Sequence, residues 1–449
     1  MSKRPNVVFV FGDQWRQQAT GYAGNVDVKT PNLDNLAEQS VNFTHAVAGC
    51  PVCSPFRASL LTGQRPLTHG VFVNDVCLQP NGTSIAEAFS AAGYDTAYIG
   101  KWHVDGPGRS NYIPPEKRLG FDYWKVLDCT HDYNHSPYYA GDSDKKLYWE
   151  GYDAIAQTRD AQSYITDHPG DNPFLLMLSW GPPHAPYDTA PKESQNLYSA
   201  DSIQLRPNVP DDIAPKAREW LAGYYAHCSA LDTCVGDLLS TLEACGLSDN
   251  TIFVFTSDHG DMLGSQGHTK KQRPWDESIR VPFLLRYPGL AGWKPRETGA
   301  IIDAHDIMPT LLGLCGVPIP DSVEGIDFSE HIAGGDDASD GSALLMCPHP
   351  FGQWTPMHHK GKEYRGLRTK RYTYVRDRKA PWLFYDNDTD PYQMQNLVDD
   401  PKMAPIREEL DAILQRKLRQ QEDEFLPGMD YIDKWGYQVD ENGTVPYTN

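Results

Sequence analysis

The sequence predicts an α/β protein: a large, mostly parallel β-sheet with helices on both faces, followed by a smaller α+β domain that carries a short antiparallel sheet. Short β-branched or aromatic runs alternate with helical patterns along the chain, which is typical of βαβ units. The runs are continuously apolar, and strands covered on both faces have this pattern. With 449 residues, of which 40% are hydrophobic and 22% charged, the chain is long enough to bury such a core.

Five apolar runs are predicted as strands of the large sheet. They span residues 6–11, 95–99, 174–179, 251–256 and 281–286. The clearest helix is predicted over residues 213–245. Pro215 suits the first turn of this helix, Gly246 suits its C-terminal cap, and apolar residues repeat at helical spacing between them.

A polar, turn-rich stretch at residues 334–342 predicts a boundary between two domains. We assign residues 1–340 to the large α/β domain, and residues 341–449 to the C-terminal α+β domain and its tail. The second domain is expected to hold two strand-like runs and one helix, at residues 366–375, 382–385 and 406–418.

The charge balance excludes some classes of function. Lys and Arg number 40 and Asp and Glu number 60, so the net charge is −20. Such a surface repels phosphate backbones, and general nucleic-acid binding is therefore not expected. No apolar run approaches the roughly 18 residues that cross a bilayer, so we expect no membrane-spanning segment.

The start of the sequence and the cysteine content bear on the cell compartment. The apolar run at residues 7–11 is short and continues into Gly12 and Asp13 without a small-residue cleavage site, which predicts a strand rather than a signal peptide. Nine cysteines in a chain of this length are too sparse for a disulfide framework. We expect a cytoplasmic protein, or a periplasmic one if a leader has been removed.

Side chains suited to metal binding or acid–base chemistry follow four of the predicted strands where each strand ends. They are Asp13 and Gln14, Lys101 and His103, His184, and Asp258 and His259. Ligands bind open α/β sheets in the crevice at the carboxyl ends of the strands. We therefore expect these side chains to form one site.

The run Cys53-Ser54-Pro55-Phe56-Arg57 predicts a further part of this site. Pro55 close to a helix start would put Cys53 at the helix N-terminus, where backbone N–H groups favour an anion. Arg57 lies one turn along, where its planar guanidinium can reach that anion. Cys50 and Cys53 also form a CxxC pair, but no second pair or His pair at zinc-ligand spacing accompanies it.

Cys53-x-Pro55-x-Arg57, completed by Thr62-Gly63, resembles the modification signature of the type I, formylglycine-dependent sulfatases of the alkaline phosphatase superfamily. Other segments lie in the order typical of that family: Asp13-Gln14, Gly100-Lys101-Trp102-His103, Pro183-His184-Ala185-Pro186, Asp258-His259-Gly260, and Lys271 before Asp276-Glu277-Ser278. The resemblance covers residues 5 to 320 and continues more weakly through 364–374 and 390–394. Two positions depart from it: Phe56 replaces a frequent Ser or Thr, and Gln14 replaces a frequent second Asp.

The resemblance implies an alkaline phosphatase-like fold and a sulfuric ester hydrolase. A formylglycine-generating maturation enzyme would oxidise Cys53, and the product would be the nucleophile. The implied metal ligands are Asp13, Gln14, Asp258, His259 and the modified residue 53, and they would hold Ca²⁺, with Mg²⁺ or Mn²⁺ as alternatives. Among the implied catalytic residues, His103 would accept a proton, His184 or Lys271 would donate one, and Arg57, Lys101 and Lys271 would balance negative charge. Lys270 is adjacent and is an alternative to Lys271.

The expected substrate is a small sulfated carbohydrate, a monosaccharide or an oligosaccharide, because the acidic surface disfavours long polyanions. Two segments are expected near the pocket: the aromatic-rich residues 112–152, as a loop that covers the site or stacks on a sugar, and residues 349–354 with His358, His359 and Lys360. The alternatives are a phosphonate monoester or phosphodiester hydrolase, an aryl or choline sulfatase, and an inactive binding module. The position of the sulfate, endo or exo action and the oligomeric state stay open.

Overall fold

A large sheet forms the centre of the structure, a computed structural model that describes residues 4–79, 81–355, 357 and 359–449. Its strands, in chain order, are β1 (Asn6–Asp13), β2 (Val41–Val47), β3 (Asp95–Lys101), β4 (Tyr123–Leu127), β5 (Pro137–Ala140), β6 (Leu147–Tyr148), β7 (Phe174–Pro183), β8 (Thr251–Ser257), β9 (Phe283–Arg286) and β10 (Arg296–Asp303). Their spatial order is β10-β2-β9-β8-β1-β7-β3-β4-β5-β6. The predicted fold class is confirmed.

The middle of this sheet is parallel and buried on both faces. Strands β8, β1, β7, β3 and β4 pair in parallel, and every residue of β1, β7 and β8 is buried. Along β1, Val7, Phe9 and Phe11 belong to the core on one face, and Val8 and Val10 to the core on the other. Continuous apolar runs are therefore required, because both side-chain directions of each strand meet a core.

Helices cover both faces, as predicted. They are α1 (Pro31–Glu38), α2 (Cys53–Thr62), α3 (Pro66–His69), α4 (Ile85–Ala91), α5 (Asp153–Asp167), α6 (Lys192–Gln195), α7 (Ala214–Ala244), α8 (Asp276–Ile279), α9 (Ala304–Leu314), α10 (Ser329–Ile332), α11 (Ala404–Gln420) and α12 (Gly428–Trp435). The cores on the two faces are built with α2, α4 and α9 on one side and with α1, α5 and α7 on the other. Within the residues described, no helix combines the length and apolar character that a membrane span requires.

Two sequence expectations for the large sheet need correction. The run at 281–286 begins as a strand only at Phe283, and β9 runs antiparallel to both neighbours. A strand parallel to β8 would need a connection that crosses from the end of β8 back to the edge of the sheet where β8 begins. The segment between β8 and β9 instead stays at the edge where β8 ends. The aromatic segment 112–152 is not one long loop: it contributes β4, β5 and β6, and Tyr138 stacks on Trp149 with ring centroids 4.4 Å apart. Aromatic residues favour half-buried strands.

In the part of the chain that the structure describes, a second sheet holds four antiparallel strands: β11 (Ser342–Cys347), β12 (Tyr364–Thr369), β13 (Tyr372–Asp377) and β14 (Pro381–Asp386). The run predicted at 366–375 is thus a hairpin, because Lys370 and Arg371 form a two-residue turn between β12 and β13. Helix α11 packs on one face of this sheet, and the other face shares a core with the large domain. The domain boundary near residue 340 stays a prediction.

The end of the chain packs back onto the large domain. Tyr437 donates a hydrogen bond from its hydroxyl to the carbonyl oxygen of Gly70, at 3.0 Å. Thr448 exchanges backbone hydrogen bonds with Pro107 and Arg109, at 2.8 and 3.0 Å. The tail that the sequence predicted beyond α11 therefore reaches the edge of the large sheet where its strands end.

Candidate active site

Four strands that lie side by side carry the predicted site residues at their carboxyl ends. The spatial order is β8, β1, β7, β3, and the ends lead to Asp258 with His259, to Asp13, to His184 and to Lys101. Parallel strands deliver these ends to one edge of the sheet. Gly100 has φ 101°, and a Cβ there would collide with the carbonyl oxygen of Ser179. The close approach of β3 and β7 below the site therefore requires glycine.

Cys53 is the first residue of α2, where the predicted helix N-terminus lies. Its sulfur is 2.8 Å from Nζ of Lys271, 3.2 Å from Nε2 of His259 and 3.6 Å from Oδ1 of Asp13. The residue is buried. Burial and the charge of Asp13 would raise the pKa of the thiol, but Lys271 and Lys101 hold it well below its usual range. The position therefore favours a negatively charged group.

Arg57 lies beneath Cys53 and holds two carboxylates together. One terminal nitrogen of its guanidinium is 3.2 Å from Oδ2 of Asp13 and 3.1 Å from Oδ2 of Asp258. The other terminal nitrogen donates to the carbonyl oxygen of Lys101 at 2.8 Å and to Oγ of Ser179 at 2.7 Å. All donors of this planar group face fixed acceptors, which a lysine could not match.

The two carboxylates differ in their proton affinity. Burial would raise the pKa of Asp13, but the ammonium of Lys101, 2.6 Å away, and that of Lys271 hold it well below the usual range. Burial and the neighbouring charge of Asp13 raise the pKa of Asp258 to about 6. Two carboxylates that share a buried site repel each other, and a cation between them relieves this repulsion.

A group of ligand atoms at this point fits a divalent cation. Asp13, Cys53, Asp258 and His259 each offer one ligand atom, and these atoms lie within 4.8 Å of one another. Nδ1 of His259 bonds the carbonyl oxygen of Gly260 at 2.9 Å, which leaves the lone pair of Nε2 for a metal. Gln14 adds a side-chain Oε1 that is buried and has no hydrogen-bond partner among the described residues. Two carboxylates, an amide oxygen and an imidazole suit a hard cation.

Asp261, which sequence reasoning missed, explains why glutamine stands at position 14. Nε2 of Gln14 donates to Oδ2 of Asp261 at 2.6 Å, and the hydroxyl of Tyr187 donates to the same oxygen. Oδ1 of Asp261 accepts from the backbone N–H groups of Leu263 and Lys270. A second carboxylate at position 14 would face that of Asp261, whereas the neutral amide binds it. The signal in the sequence was the acidic residue after Asp258-His259-Gly260.

A cavity of about 250 Å³ opens above Cys53, and its described lining is basic. Five cationic side chains contribute to this lining: Lys101, Arg109, Lys270, Lys271 and Arg273. Asp75 is the acidic side chain among the described lining residues. The cavity therefore has a positive local field inside a chain of net charge −20.

His103 lines this cavity and belongs to a series of interacting charged side chains that the sequence did not predict. Its Nε2 is 3.4 Å from Oδ1 of Asp75, and Arg109 binds both oxygens of Asp75 at 2.7 Å. The guanidinium of Arg109 stacks on the ring of Tyr447, 3.3 Å from the centroid. Burial would lower the pKa of His103, but the nearby Cys129 and Asp75 hold it well above the usual range. These residues come from separate segments, so no local motif links them.

His184 lines the cavity without joining the cluster around Cys53. Its Nδ1 bonds the carbonyl oxygen of Ala185 at 2.8 Å, and its ring stacks on His131 with centroids 4.6 Å apart. Burial and the charge of Lys271 hold the pKa of His184 well below its usual range, so the ring is neutral. Among the described residues of segment 112–152, His131 lines the cavity.

The second domain and the tail also reach the cavity. Phe351, Gly352 and Gln353 line it from the segment expected at the rim, and Thr444 and Tyr447 line it from the tail. His358 lies outside the described residues. The tail had no motif that could have placed it here.

Comparison with known families identifies the chain. The sequence model of the family described as "Sulfatase" matches residues 5–317, and that of "N-sulphoglucosamine sulphohydrolase, C-terminal" matches residues 264–421. The chain belongs to the sulfatase family. It is an enzyme, a sulfuric ester hydrolase, and both the predicted fold class and the family that the sequence resembles are confirmed.

Relatives of this sulfatase cover nearly its whole length. An ulvan-active sulfatase of Formosa agariphila is 47% identical over 448 residues, which is 99% of this chain and 87% of the relative. An endo-4-O-sulfatase of Bacteroides thetaiotaomicron is 33% identical and covers 88% of each chain. One solved structure is described as belonging to the metabolism of multiple glycosaminoglycans by Bacteroides thetaiotaomicron, and its sequence is 30% identical to this sulfatase. The two structures superpose with a TM-score of 0.84, over 99% of this sulfatase and 100% of that chain.

Proposed function

We propose that this sulfatase releases sulfate from sulfated carbohydrates, with a formylglycine made from Cys53 as the nucleophile. The observation that carries the proposal is the place of Cys53: a helix N-terminus, 2.8 Å from the ammonium of Lys271 and 3.2 Å from the imidazole of His259. The carbohydrate substrate is supported by two relatives, an ulvan-active sulfatase and an endo-4-O-sulfatase. A maturation enzyme that oxidises the cysteine is the partner this chemistry requires.

Asp13, Gln14, Asp258, His259 and the modified residue 53 would hold a divalent cation. The donor set supports this assignment, because two carboxylates are buried together and Oε1 of Gln14 has no hydrogen-bond partner among the described residues. Oxygen-rich ligation favours Ca²⁺, with Mg²⁺ or Mn²⁺ as alternatives. When bound, such a cation would polarise the sulfate ester and lower the pKa of a hydroxyl on residue 53.

The basic side chains take four roles in the proposed reaction. Lys101 and Arg57 hold the carboxylate of Asp13 in place and offset negative charge at the site. Lys271 donates a proton to the leaving alcohol oxygen, because burial and Lys271 itself keep His184 neutral. His184 then orients the ester by hydrogen bonding. Formylglycine carries two hydroxyl groups when its aldehyde is hydrated, and the oxygen of one would bond to sulfur as the sulfur–oxygen bond to the alcohol breaks. His103 accepts the proton of the other hydroxyl as the carbon–oxygen bond to sulfate breaks and the aldehyde re-forms.

The experiment that tests the proposal measures both the modification and the product. We would express the chain with a formylglycine-generating enzyme, load it with Ca²⁺ and determine the state of residue 53 by peptide mass spectrometry. Ion chromatography would then quantify the sulfate that the enzyme releases from ulvan and from 4-nitrophenyl sulfate. The Cys53→Ala variant, assayed on the same substrates, is the control. We expect formylglycine at position 53 and sulfate release that Cys53→Ala abolishes.

Two results would contradict the proposal. An unmodified thiol in an active preparation would exclude formylglycine as the nucleophile. A parallel assay with an aryl phosphonate monoester separates the second candidate reaction: a much higher kcat/KM on that ester than on the sulfates would assign the site to phosphonate hydrolysis.

A further inference from the structure

Two more cavities adjoin the catalytic cavity and share walls with it. They measure about 730 and 700 Å³, against about 250 Å³ for the catalytic cavity above Cys53. Gln353 lines all three, and Lys270 lines the catalytic cavity and the 730 Å³ cavity. Thr269 and Trp220 line both outer cavities. The two outer cavities thus share wall residues with each other and with the catalytic cavity, and together we call them the α7 groove.

Trp220 provides an aromatic wall for the α7 groove. It stands in the second turn of the 31-residue helix α7, is partly exposed and packs against the core beneath that helix. Its position is therefore fixed by a rigid element, as a binding platform requires. Tyr187 and Tyr198 add two more partly exposed rings to the 730 Å³ cavity.

The chemistry of the α7 groove suits sugar rings. The face of an aromatic ring is negative, and it attracts the C–H bonds that line one side of a pyranose. Lys216 and Glu219 form an ion pair at 2.6 Å on the same wall and offer polar atoms to hydroxyl groups. Lys270 lies where the groove meets the catalytic cavity and can bind a carboxylate or a second sulfate there.

The cavity volumes indicate how an oligosaccharide would be accommodated. The catalytic cavity is smaller than the range of about 300–1,000 Å³ that is usual for pockets of drug-sized ligands, and it suits a sulfate ester on one ring. Each outer cavity lies within that range. Further rings of the same molecule would extend into the groove past Lys270 and Gln353, which line both the catalytic cavity and the 730 Å³ cavity.

We propose that the α7 groove binds the sugar residues that flank the sulfated one, with Trp220 as the stacking platform, so that the enzyme prefers sulfated oligosaccharides to single sulfated sugars. This inference rests on the proposed function and goes further, because it assigns a binding site for the sugar residues beyond the one that loses its sulfate. Of the two substrate sizes that the sequence left open, a monosaccharide and an oligosaccharide, it favours the oligosaccharide.

The test compares substrates of increasing length. Size-fractionated ulvan di-, tetra- and hexasaccharides would be assayed beside 4-nitrophenyl sulfate, with the matured, Ca²⁺-loaded enzyme. We expect kcat/KM to rise with length through a falling KM. Trp220→Ala should lower the ratio of kcat/KM for the hexasaccharide to that for 4-nitrophenyl sulfate by about 10- to 30-fold, as loss of a central aromatic anchor does.

Two variants control for structural effects. Trp220→Phe keeps a ring on α7 and should restore most of the ratio. Trp293→Ala removes another partly buried tryptophan that packs on the core and lines none of the three cavities, and should leave the ratio unchanged. An unchanged ratio in Trp220→Ala would overturn the proposal, as would equal losses on every substrate, which would indicate a purely structural role.

A binding measurement separates this proposal from the proposed function. If no sulfate is released from any substrate, the proposed function fails, and calorimetric titration of the Cys53→Ala protein with the ulvan hexasaccharide still tests the groove. Weaker binding in Cys53→Ala with Trp220→Ala would support the groove. Equal binding with and without Trp220, or no binding of the hexasaccharide, would overturn it.

Discussion

Nζ of Lys271 lies 2.8 Å from Sγ of Cys53. The adjacent Lys270 has a left-handed backbone (φ 61°), donates its N–H to Oδ1 of Asp261 and extends toward the α7 groove. The two lysines thus turn to different parts of the site although they are neighbours in sequence. The geometry distinguishes a lysine in contact with Cys53 from a lysine at the edge of the cavity.

Lys271→Ala should lower kcat by about 100- to 1,000-fold, because it removes a preorganised donor at the reacting atoms. Lys270→Ala should act mainly on KM for oligosaccharides, because its side chain faces the groove. Steady-state kinetics on 4-nitrophenyl sulfate and on ulvan oligosaccharides would separate the two effects. Equal losses of kcat in both variants would contradict the assignment.

Gln14→Glu should weaken metal binding by about 10- to 100-fold, the usual effect of disturbing the partners of metal ligands. The new carboxylate would face Oδ2 of Asp261 where Nε2 of Gln14 now donates at 2.6 Å. Asp261→Asn in the same chain should restore part of the affinity, because the introduced amide can donate to the introduced carboxylate in place of the lost bond. Calorimetric titration of the chelator-treated protein with Ca²⁺ would measure each variant. Additive effects in the double-mutant cycle would count against a direct Gln14–Asp261 coupling.

The pH dependence of kcat should respond to Asp75. As a proton acceptor, His103 must be neutral, and its raised pKa makes activity increase as pH rises through that pKa. Asp75 stabilises the imidazolium, so Asp75→Asn should lower the pKa of His103 and move the acidic limb of the profile to lower pH. Profiles of kcat for both proteins on 4-nitrophenyl sulfate would check this. An acidic limb that stays in place, with only its height reduced, would assign Asp75 a structural role.

The buried ion pair between Asp276 and Arg368 should contribute to stability, since it joins α8 of the large domain to β12 of the second sheet. Arg368 binds both carboxylate oxygens, at 2.8 and 2.9 Å. Arg368→Met should lower the free energy of unfolding by about 3–5 kcal/mol, the usual cost of leaving one buried charge unpaired. Urea denaturation would measure it. Arg371→Met, which breaks a bidentate pair between a half-exposed Arg371 and Asp386, is the control and should cost less, because solvent reaches the guanidinium.

The ion pair between Asp276 and Arg368 should also make the free energy of unfolding depend on pH in the acidic range. Burial would raise the pKa of Asp276, but Arg368 and Arg280 lower it to about 2 from 3.8. A carboxyl whose pKa is lowered in the folded state stabilises the fold above pH 4 and loses this contribution as pH falls from about 4 to about 2. The difference in unfolding free energy between wild type and Arg368→Met should therefore shrink over that interval. A difference that does not depend on pH would contradict the role of the pair.

Local sequence patterns were enough to predict the large sheet and most of the candidate site. Continuous apolar runs predicted β1, β3, β7 and β8, because such runs are stable only when both faces of a strand are buried. The side chains after those runs predicted the site, because parallel strands end at a common edge. The first turn of α2 was likewise predictable from Pro55 and Arg57, since helix starts have local signals.

The contacts between distant segments could not be predicted from local sequence patterns. Asp75, Arg109 and Tyr447 lie far apart along the chain and meet beside His103, and Asp261 binds Gln14 across the sheet. The sequence also did not predict that β9 runs antiparallel, that β12 and β13 form a hairpin, or that segment 112–152 contributes strands. Each of these depends on the neighbouring strands and helices against which the segment packs. Local propensity and spacing fix an element and the residues at its ends. Which side chains share a cavity depends on packing of whole elements, and that information is spread over the entire chain.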